Sequence, residues 1–143
     1  MPYSYQYPHM AVTVDVVLFD ISLNEASVLL IKRANAPFKD FWALPGGYVD
    51  MEEKMEAAAL RELTEETGAE IKQINFLGFF DDIQRDPRER TVSFAFWATT
   101  QRQIQSIQAA DDANDAQWFP VQSLPQLAFD HQLIIDTAMK NFS

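Results

Sequence analysis

The sequence predicts an α/β fold in which a mixed β-sheet lies between helices. Val-rich stretches typical of strands flank a central segment with helical periodicity, and a second helical pattern lies near the C-terminus. Several strands with one helix in the middle and one at the end favour a layered arrangement. The 143 residues, of which 48% are hydrophobic, suffice to bury one core, so we expect a single domain over residues 1–143.

The N-terminal part predicts a hairpin followed by a short strand. Residues 10–19 are Val-rich and alternate in polarity, and residues 27–32 contain the apolar run VLLI, so both segments are typical of strands. The polar turn at residues 20–25 makes them hairpin partners. Residues 41–44 predict a short strand that enters the turn Pro45-Gly46-Gly47, where both glycines are free to adopt positive φ.

A helix is predicted over residues 54–67. Its apolar stripe consists of Met55, Ala59 and Leu63. Gly68 follows the last periodic residue and suits a left-handed C-terminal cap. Asp50 and Glu53 have the spacing of a capping box before the helix. The acidic face of this helix therefore points away from the core.

The C-terminal half predicts three more strands and a second helix. The strands are expected at residues 71–80, 91–99 and 116–119, with a Gln-rich surface connection over residues 101–108. The helix is expected over residues 130–141. Its inward-facing residues are predicted to be Leu133, Ile134, Ala138 and Met139.

Composition narrows the class of protein. A formal net charge of −10 argues against binding to nucleic acid or to anionic membranes, which a basic patch would favour. Cysteine is absent, so disulfides and thiolate metal sites are excluded. The N-terminus lacks the pattern of a signal peptide, and no run of 18 apolar residues exists. We therefore expect a cytoplasmic protein.

Three carboxylates should share one face of the central helix, namely those of Glu62, Glu65 and Glu66. Like charges at this spacing cost about 0.2–0.5 kcal/mol per pair. The simpler interpretation is a solvated helix face, but such a face would intersperse lysines, and here only Arg61 is available. Mg²⁺ prefers carboxylate oxygens together with water and substrate phosphates, so the cluster points to phosphate chemistry. Backbone carbonyls near Gly47 would lie close enough to join such a site.

The window at residues 47–69, GYVDMEEKMEAAALRELTEETGA, resembles the Nudix box, G-x5-E-x7-R-E-U-x-E-E-x-G-U with U a bulky aliphatic residue. All seven fixed positions are matched, by Gly47, Glu53, Arg61, Glu62, Glu65, Glu66 and Gly68. Leu63 fills the first aliphatic position, whereas Ala69 is smaller than the usual residue at the last one. The resemblance implies a Nudix α/β/α sandwich and hydrolysis of a nucleoside diphosphate linked to another group.

The same resemblance assigns roles within the box. The metal ligands for Mg²⁺ or Mn²⁺ would be Glu62, Glu65 and Glu66, with Gly47 beside them. Glu62 sometimes serves as general base in such enzymes, Arg61 orients the carboxylates, and Glu53 supports that network. Asp112 lies where relatives place a further ligand or base on a loop, although an ordinary acidic loop explains it equally well.

Segments outside the box, residues 37–47, 85–93 and 127–131, resemble the ADP-ribose pyrophosphatase branch. This branch cleaves ADP-ribose to AMP and ribose 5-phosphate. The candidate substrate-binding residues are Arg85, Arg88, Arg90, Lys39, Trp42 and Phe129. The alternatives are a surface salt-bridge loop for the arginines, a solvated loop lysine for Lys39 and core packing for the aromatic residues. Residues 80–84 and the position of Pro87 depart from the pattern of the branch.

Two other functions fit the resemblance. One is hydrolysis of an oxidised nucleoside triphosphate, a dinucleoside polyphosphate or NADH. The other is a non-catalytic sensor of ADP-ribose or NAD metabolites. Because sensors tend to lose catalytic carboxylates and this chain retains them, we expect an enzyme whose partner is a small nucleotide. Many members of the family are homodimers, but nothing in the sequence establishes an interface.

Overall fold

The computed structural model describes residues 2–108 and 113–141. Its elements in chain order are β1 (Ala11–Asp20), β2 (Ser27–Arg33), β3 (Trp42–Ala43), β4 (Gly46–Tyr48), α1 (Met55–Thr67), β5 (Asn75–Phe80), β6 (Thr91–Thr100), a 3-10 turn (Arg102–Ile104), β7 (Ala113–Pro120) and α2 (His131–Met139). The predicted α/β class is confirmed. In the described part of the chain, no helix is long and apolar enough to cross a membrane.

The seven strands form one mixed sheet with β1 at its centre. The strand order along the main path is β3-β2-β1-β6-β5, while β4 also pairs with β1 and β7 also pairs with β2. The predicted hairpin of β1 and β2 is present, with Phe19 opposite Val28. The pairing of β1 with β6 is parallel from Ala11 opposite Thr91 to Asp20 opposite Thr100, and the other pairs are antiparallel.

A helix covers each face of the sheet because successive residues of β1 point to opposite faces. One core contains Val14, Val16 and Leu18 of β1 with Ala58, Ala59 and Leu63 of α1. The other contains Val17 and Phe19 of β1 with Ile134, Ile135 and Ala138 of α2. The long central strand therefore contributes side chains to both cores.

The glycine segment before α1 is a strand, where the sequence predicted a turn. Gly46 lies opposite Asp15 and Gly47 lies opposite Val14 in an antiparallel ladder. Neither glycine has positive φ, so the predicted reason for glycine here was wrong. A Cβ on Gly46 would lie 2.1 Å from the carbonyl oxygen of Val14. Glycine is required because the two backbones approach so closely.

The ends of α1 match the prediction at the C-terminus and not at the N-terminus. Gly68 has φ 79° and its N–H donates to the carbonyl of Thr64, which is the predicted left-handed cap. The N-cap residue is Lys54, and its side chain makes no capping bond. The Asp50 N–H donates instead to Glu53 Oε1 at 2.9 Å, so the predicted capping box closes a turn before the helix.

Three other expectations differ from the structure. Leu133 is 55% exposed, whereas Ile135 is buried, because the inward face of α2 consists of His131, Ile134, Ile135 and Ala138. Strand β5 begins at Asn75, four residues later than residue 71, and it carries an irregularity opposite β6 between Phe76 and Gly78. The Gln-rich connection contains the short 3-10 turn.

Candidate active site

A cavity of about 400 Å³ is lined by residues of β1, β2, β4, α1 and α2. The charged and polar side chains on its wall come from Thr13, Asp15, Arg33, Tyr48, Asp50, Glu62, Glu66, Arg85, Asp86, Arg88 and His131. In a chain with a formal net charge of −10, three arginines on one concave surface are a local departure from the overall charge. Such a surface can bind an anion beside carboxylates.

Arg61 gathers the carboxylates of α1 and of the turn that precedes it. Its Nε and Nη2 donate to the two carboxylate oxygens of Glu53 at 2.9 and 2.6 Å, which is a bidentate arrangement. Its Nη1 donates to Glu62 at 2.7 Å and to Glu65 at 3.0 Å. The bonds from Arg61, with the backbone N–H of Asp50, lower the pKa of Glu53 to about 2. The guanidinium therefore fixes the orientation of several anionic groups at once.

Strand β4 holds two carboxylates against its backbone. The Gly46 N–H donates to Glu66 Oε1 at 2.6 Å. A Cβ on Gly47 would lie 2.6 Å from Glu62 Oε2, so the absence of a side chain makes room for that carboxylate. Glu62 is also nearly buried, with 15% of its side chain exposed. The glycine strand thus determines where both acidic groups meet the cavity.

A buried polar network forms the floor of the cavity. Ser93 Oγ donates to Asp15 Oδ2 at 2.5 Å, and Arg85 donates to both oxygens of Asp130 at 2.9 and 2.7 Å. Burial works against the charge on Arg85, but the bonds to Asp130 and the charge of Asp15 outweigh it and raise the pKa of the guanidinium. His131 is the fifth residue of this floor. Four of the five, Asp15, Arg85, Ser93 and His131, are buried, and Asp130 is partly exposed.

His131 has a defined protonation state in this network. Its Nδ1 accepts a hydrogen bond from the Leu44 N–H at 2.9 Å, so the neutral ring must carry its proton on Nε2. Nε2 lies 3.5 Å from Asp15 Oδ1. Burial lowers the pKa of His131 despite the nearby charge of Asp15. The ring is therefore neutral at pH 7 and connects α2 to the strands below the cavity.

Two arginines and an aromatic ring form the rim. The guanidinium carbons of Arg33 and Arg88 lie 5.0 and 5.5 Å from the ring centroid of Phe129. Arg88 also donates to both oxygens of Asp86, whose carboxylate is almost fully buried. Phe129 has φ 53°, which is an unfavourable backbone conformation for a bulky residue. Packing around its ring must hold that conformation in place.

The model of the NUDIX domain matches residues 9–140 of this chain. The chain belongs to the Nudix family. It is 41% identical over 134 residues to the ADP-ribose pyrophosphatase of Methanocaldococcus jannaschii, and the match covers 94% of this chain and 76% of that relative. Both findings agree with the family that residues 47–69 predicted.

Solved Nudix structures give the same fold. The NUDIX domain of Shewanella oneidensis NrtR, complexed with ADP ribose, has a TM-score of 0.89 and 32% identity, over 96% of this chain and 91% of that one. A bifunctional NMN adenylyltransferase/ADP ribose pyrophosphatase from Francisella tularensis, complexed with AMP and a Mn ion, has a TM-score of 0.83 and 29% identity. The match covers 96% of this chain and 43% of that one. The predicted Nudix sandwich is confirmed.

In this Nudix domain, most of the box residues meet at one wall. Gly47, Glu62 and Glu66 line the cavity, and Arg61 and Glu53 support them from behind. The side chain of Glu65 is 58% exposed and contacts Arg61 outside the cavity lining. Within residues 2–108 and 113–141, no group of three or more His, Asp or Glu side chains is placed so that it could hold a metal ion. Of the three glutamates predicted as metal ligands, Glu62 and Glu66 line the cavity.

The predicted substrate residues separate into two groups. Arg85, Arg88 and Phe129 line the cavity, although Arg85 is already bound to Asp130. The others are Trp42, Lys39 and Arg90, which lie outside the cavity lining. Trp42 packs edge-to-face on Phe119 at 4.7 Å, and Arg90 donates to the carbonyl of Asp81. Asp112 lies outside the described residues.

Among the cavity residues that sequence reasoning does not identify as site residues are Asp15, Arg33 and His131. Asp15 is a charged residue in an otherwise apolar part of β1, which is a detectable signal for a functional or paired carboxylate. Arg33 is in phase with buried Leu29 and Ile31, four and two residues earlier, but the predicted strand ended before it. Nothing in the local sequence around His131 indicates that its ring reaches Leu44, the residue that follows β3.

Proposed function

We propose that this Nudix protein is a metal-dependent hydrolase that cleaves ADP-ribose to AMP and ribose 5-phosphate. The observation that carries the proposal is 41% identity to an ADP-ribose pyrophosphatase over 94% of the chain, with Glu62 and Glu66 of the box placed on the cavity wall. The related NUDIX domain complexed with ADP ribose supports this substrate. The cavity of about 400 Å³ falls within the usual range for small-ligand sites.

We propose Mg²⁺ or Mn²⁺ as the cofactor. The ligands would be the carboxylates of Glu62, Glu65 and Glu66 with the backbone of Gly47, because hard cations prefer such oxygen donors. Glu62 and Glu66 already face the cavity, and Glu65 would join them by leaving Arg61. The Mn ion in the Francisella structure supports a divalent cation. When bound, the cation would neutralise charge on the diphosphate and acidify a water molecule.

The proposed reaction is an in-line hydrolysis that uses the residues predicted for the site. Water attacks one phosphorus in line, the bond from that phosphorus to the bridging oxygen breaks, and each product retains one phosphate. The proton of the water passes to a carboxylate, for which Glu62 and Asp112 are the candidates. Arg61 holds Glu62 at 2.7 Å, so that this acceptor is oriented before substrate binds. Arg88 and Phe129 are the proposed substrate contacts on the rim.

The rival role is binding without catalysis, and the rival substrates are other nucleotides. Retention of all the box carboxylates favours an enzyme, since a binding domain does not need them. The proposal includes a single domain over residues 1–143, a small nucleotide as partner and a cytoplasmic location. The domain match over residues 9–140 supports the first of these.

Chromatography of ADP-ribose incubated with the protein and Mg²⁺ tests the proposal. AMP and ribose 5-phosphate should form in equal amounts, and Glu66→Gln should slow their formation at least about 100-fold, since lost metal ligation costs several kcal/mol. Gln can still accept the bond from the Gly46 N–H, so the melting temperature should change little. Faster turnover of 8-oxo-dGTP, a dinucleoside polyphosphate or NADH would replace the substrate. Tight binding of ADP-ribose without product would establish the sensor role.

A further inference from the structure

Arg33 differs from the other arginines of the cavity in its partners. Arg85 pairs with Asp130 at 2.7 Å and Arg88 pairs with Asp86 at 2.8 Å. Among residues 2–108 and 113–141, Arg33 has no carboxylate within 4.0 Å, and its recorded hydrogen bond runs from Nε to the carbonyl oxygen of Pro37 at 2.8 Å. Its terminal nitrogens are therefore available on a surface that is otherwise paired.

The position of Arg33 is fixed by the strand and by the rim. Ile31 and Arg33 lie two residues apart on one face of β2, and both line the cavity. The bond to Pro37 and the ring of Phe129, 5.0 Å away, hold the guanidinium from two sides. A second cavity of about 110 Å³ is lined by both Arg33 and Glu66, so the arginine lies beside the box carboxylates. A ligand bound next to Glu66 would therefore also lie next to Arg33.

The positive charges of Arg33 and Arg88 favour binding of an anion at this place. Arg33 and Arg88 lie on the same aromatic ring, so two positive charges are close to each other. Burial, followed by the charge of Arg88, lowers the pKa of Arg33, and the charges of Glu66 and Asp86 offset this only in part. A bound anion removes this repulsion and receives a planar pair of N–H donors, the geometry that phosphate oxygens match. No carboxylate of the described chain supplies that anion to Arg33 within 4.0 Å.

We propose that Arg33 is a diphosphate-binding residue, which takes phosphate oxygens on the side of the cavity next to Glu66. This inference rests on the proposed function, and it assigns the diphosphate a contact outside the Nudix box. Arg85, which the sequence favoured for this contact, is instead occupied by Asp130 and stabilises the cavity floor.

Calorimetric titration with methylenediphosphonate, which has a P–C–P bridge and is not hydrolysed, tests the inference without requiring turnover. The titrations are made with and without Mg²⁺ on the wild type, Arg33→Gln, Arg33→Lys and Lys72→Gln. Lys72 is exposed and lies outside the cavity, so Lys72→Gln controls for the loss of one positive charge. Arg33→Gln should weaken binding about tenfold or more, because the charge-assisted hydrogen bonds from the guanidinium to the phosphate oxygens are lost. Lys72→Gln should stay within twofold of the wild type.

The lysine variant distinguishes charge from geometry. Arg33→Lys keeps the charge without the planar fork, so its affinity should fall between those of the wild type and Arg33→Gln. If Arg33→Gln shows no cooperative melting and is therefore unfolded, the comparison of Arg33→Lys with the wild type replaces it as the test. Equal affinities for the wild type and both Arg33 variants, an equal loss in Lys72→Gln, or no binding by the wild type would overturn the inference.

Steady-state kinetics separate this inference from the proposed function. With ADP-ribose, Arg33→Gln should lower kcat/KM by at least the factor found for methylenediphosphonate. If the wild type releases no AMP but Arg33→Gln still loses affinity for methylenediphosphonate, the proposed substrate is wrong and the diphosphate contact is correct. If ADP-ribose is cleaved equally by both proteins, only the contact is wrong.

Discussion

Replacing Gly47 by alanine should damage the active site without damaging the fold. The new Cβ would lie 2.6 Å from Glu62 Oε2 and 2.8 Å from Glu62 Cδ, well inside the ordinary contact distance of 3.4 Å. Gly47 does not have positive φ, so alanine can adopt its backbone conformation. The carboxylate is the end of a flexible side chain, and it must withdraw by about 0.8 Å to restore 3.4 Å. A displacement of about 1 Å at a catalytic group costs roughly 100-fold in rate.

Alanine at the preceding position provides the matched comparison. A Cβ on Gly46 would lie 2.1 Å from the carbonyl oxygen of Val14, which belongs to the backbone of β1 and cannot rotate away. Gly46→Ala should therefore force β4 off β1 and cost about 3 kcal/mol, the upper part of the range for overpacking. For a domain of this size that loss lowers the melting temperature by about 10 °C.

The assay measures kcat for AMP release and the melting temperature for both variants. We expect Gly47→Ala to melt within about 3 °C of the wild type, a change of less than about 1 kcal/mol, with kcat reduced roughly 100-fold. We expect Gly46→Ala to melt about 10 °C below the wild type. Full turnover by Gly47→Ala, or equal stability losses in the two variants, would refute the idea that Gly47 makes room for Glu62.

The remaining predictions concern three of the ion-pair groups in the described part of the chain, namely those of Arg61, Arg85 and Asp20. Arg61→Lys loses the fork that holds several carboxylates, and kcat should fall about 10- to 100-fold in the AMP assay, as for other residues that orient metal ligands; an unchanged kcat would contradict the orienting role. Asp130→Asn leaves the buried Arg85 guanidinium without its bidentate partner, 3.9 Å from its other carboxylate, and should cost about 3 kcal/mol in urea unfolding; a loss below 1 kcal/mol would show that the pair is dispensable. Burial opposes the charge of Asp20, but its bonds from Ser22 and Arg102 outweigh burial and lower its pKa from 3.8 to about 2. The stabilisation from this ionised group is complete above about pH 3.8 and disappears as the pH falls toward 2, so urea midpoints should decline over that window in the wild type and less steeply in Asp20→Asn.

The box could be predicted from sequence because its chemistry is local. Glu53, Arg61, Glu62 and Glu66 lie within one turn and one helix, where spacing alone determines which side chains are neighbours. The mixed sheet could also be predicted, because alternation and length identify its strands. The role of Gly47 could not, because it depends on the distance to Glu62 and not on φ.

The rest of the cavity depends on contacts that are distant in sequence. Asp15 meets Ser93, 78 residues away, and Leu44 meets His131, 87 residues away. Periodicity identifies each strand or helix but does not say which residues face each other across the sheet. Trp42 shows the same limit, because an aromatic residue at this place has the same sequence signal whether it packs on Phe119, as it does here, or faces a ligand.

The parallel ladder between β1 and β6 has a consequence for how the chain folds. Every pair in it joins residues 80 positions apart, from Ala11 with Thr91 to Asp20 with Thr100. Closing so large a loop costs entropy before any contact compensates for it, and topologies of this kind fold in milliseconds to seconds. Helix α1 has local contacts and can form earlier, but its core partners Phe96 and Ala98 lie in β6. Nascent chains that end before β6 should therefore expose the apolar stripe of α1, and the cavity wall stays incomplete until Phe129 and His131 have been synthesised.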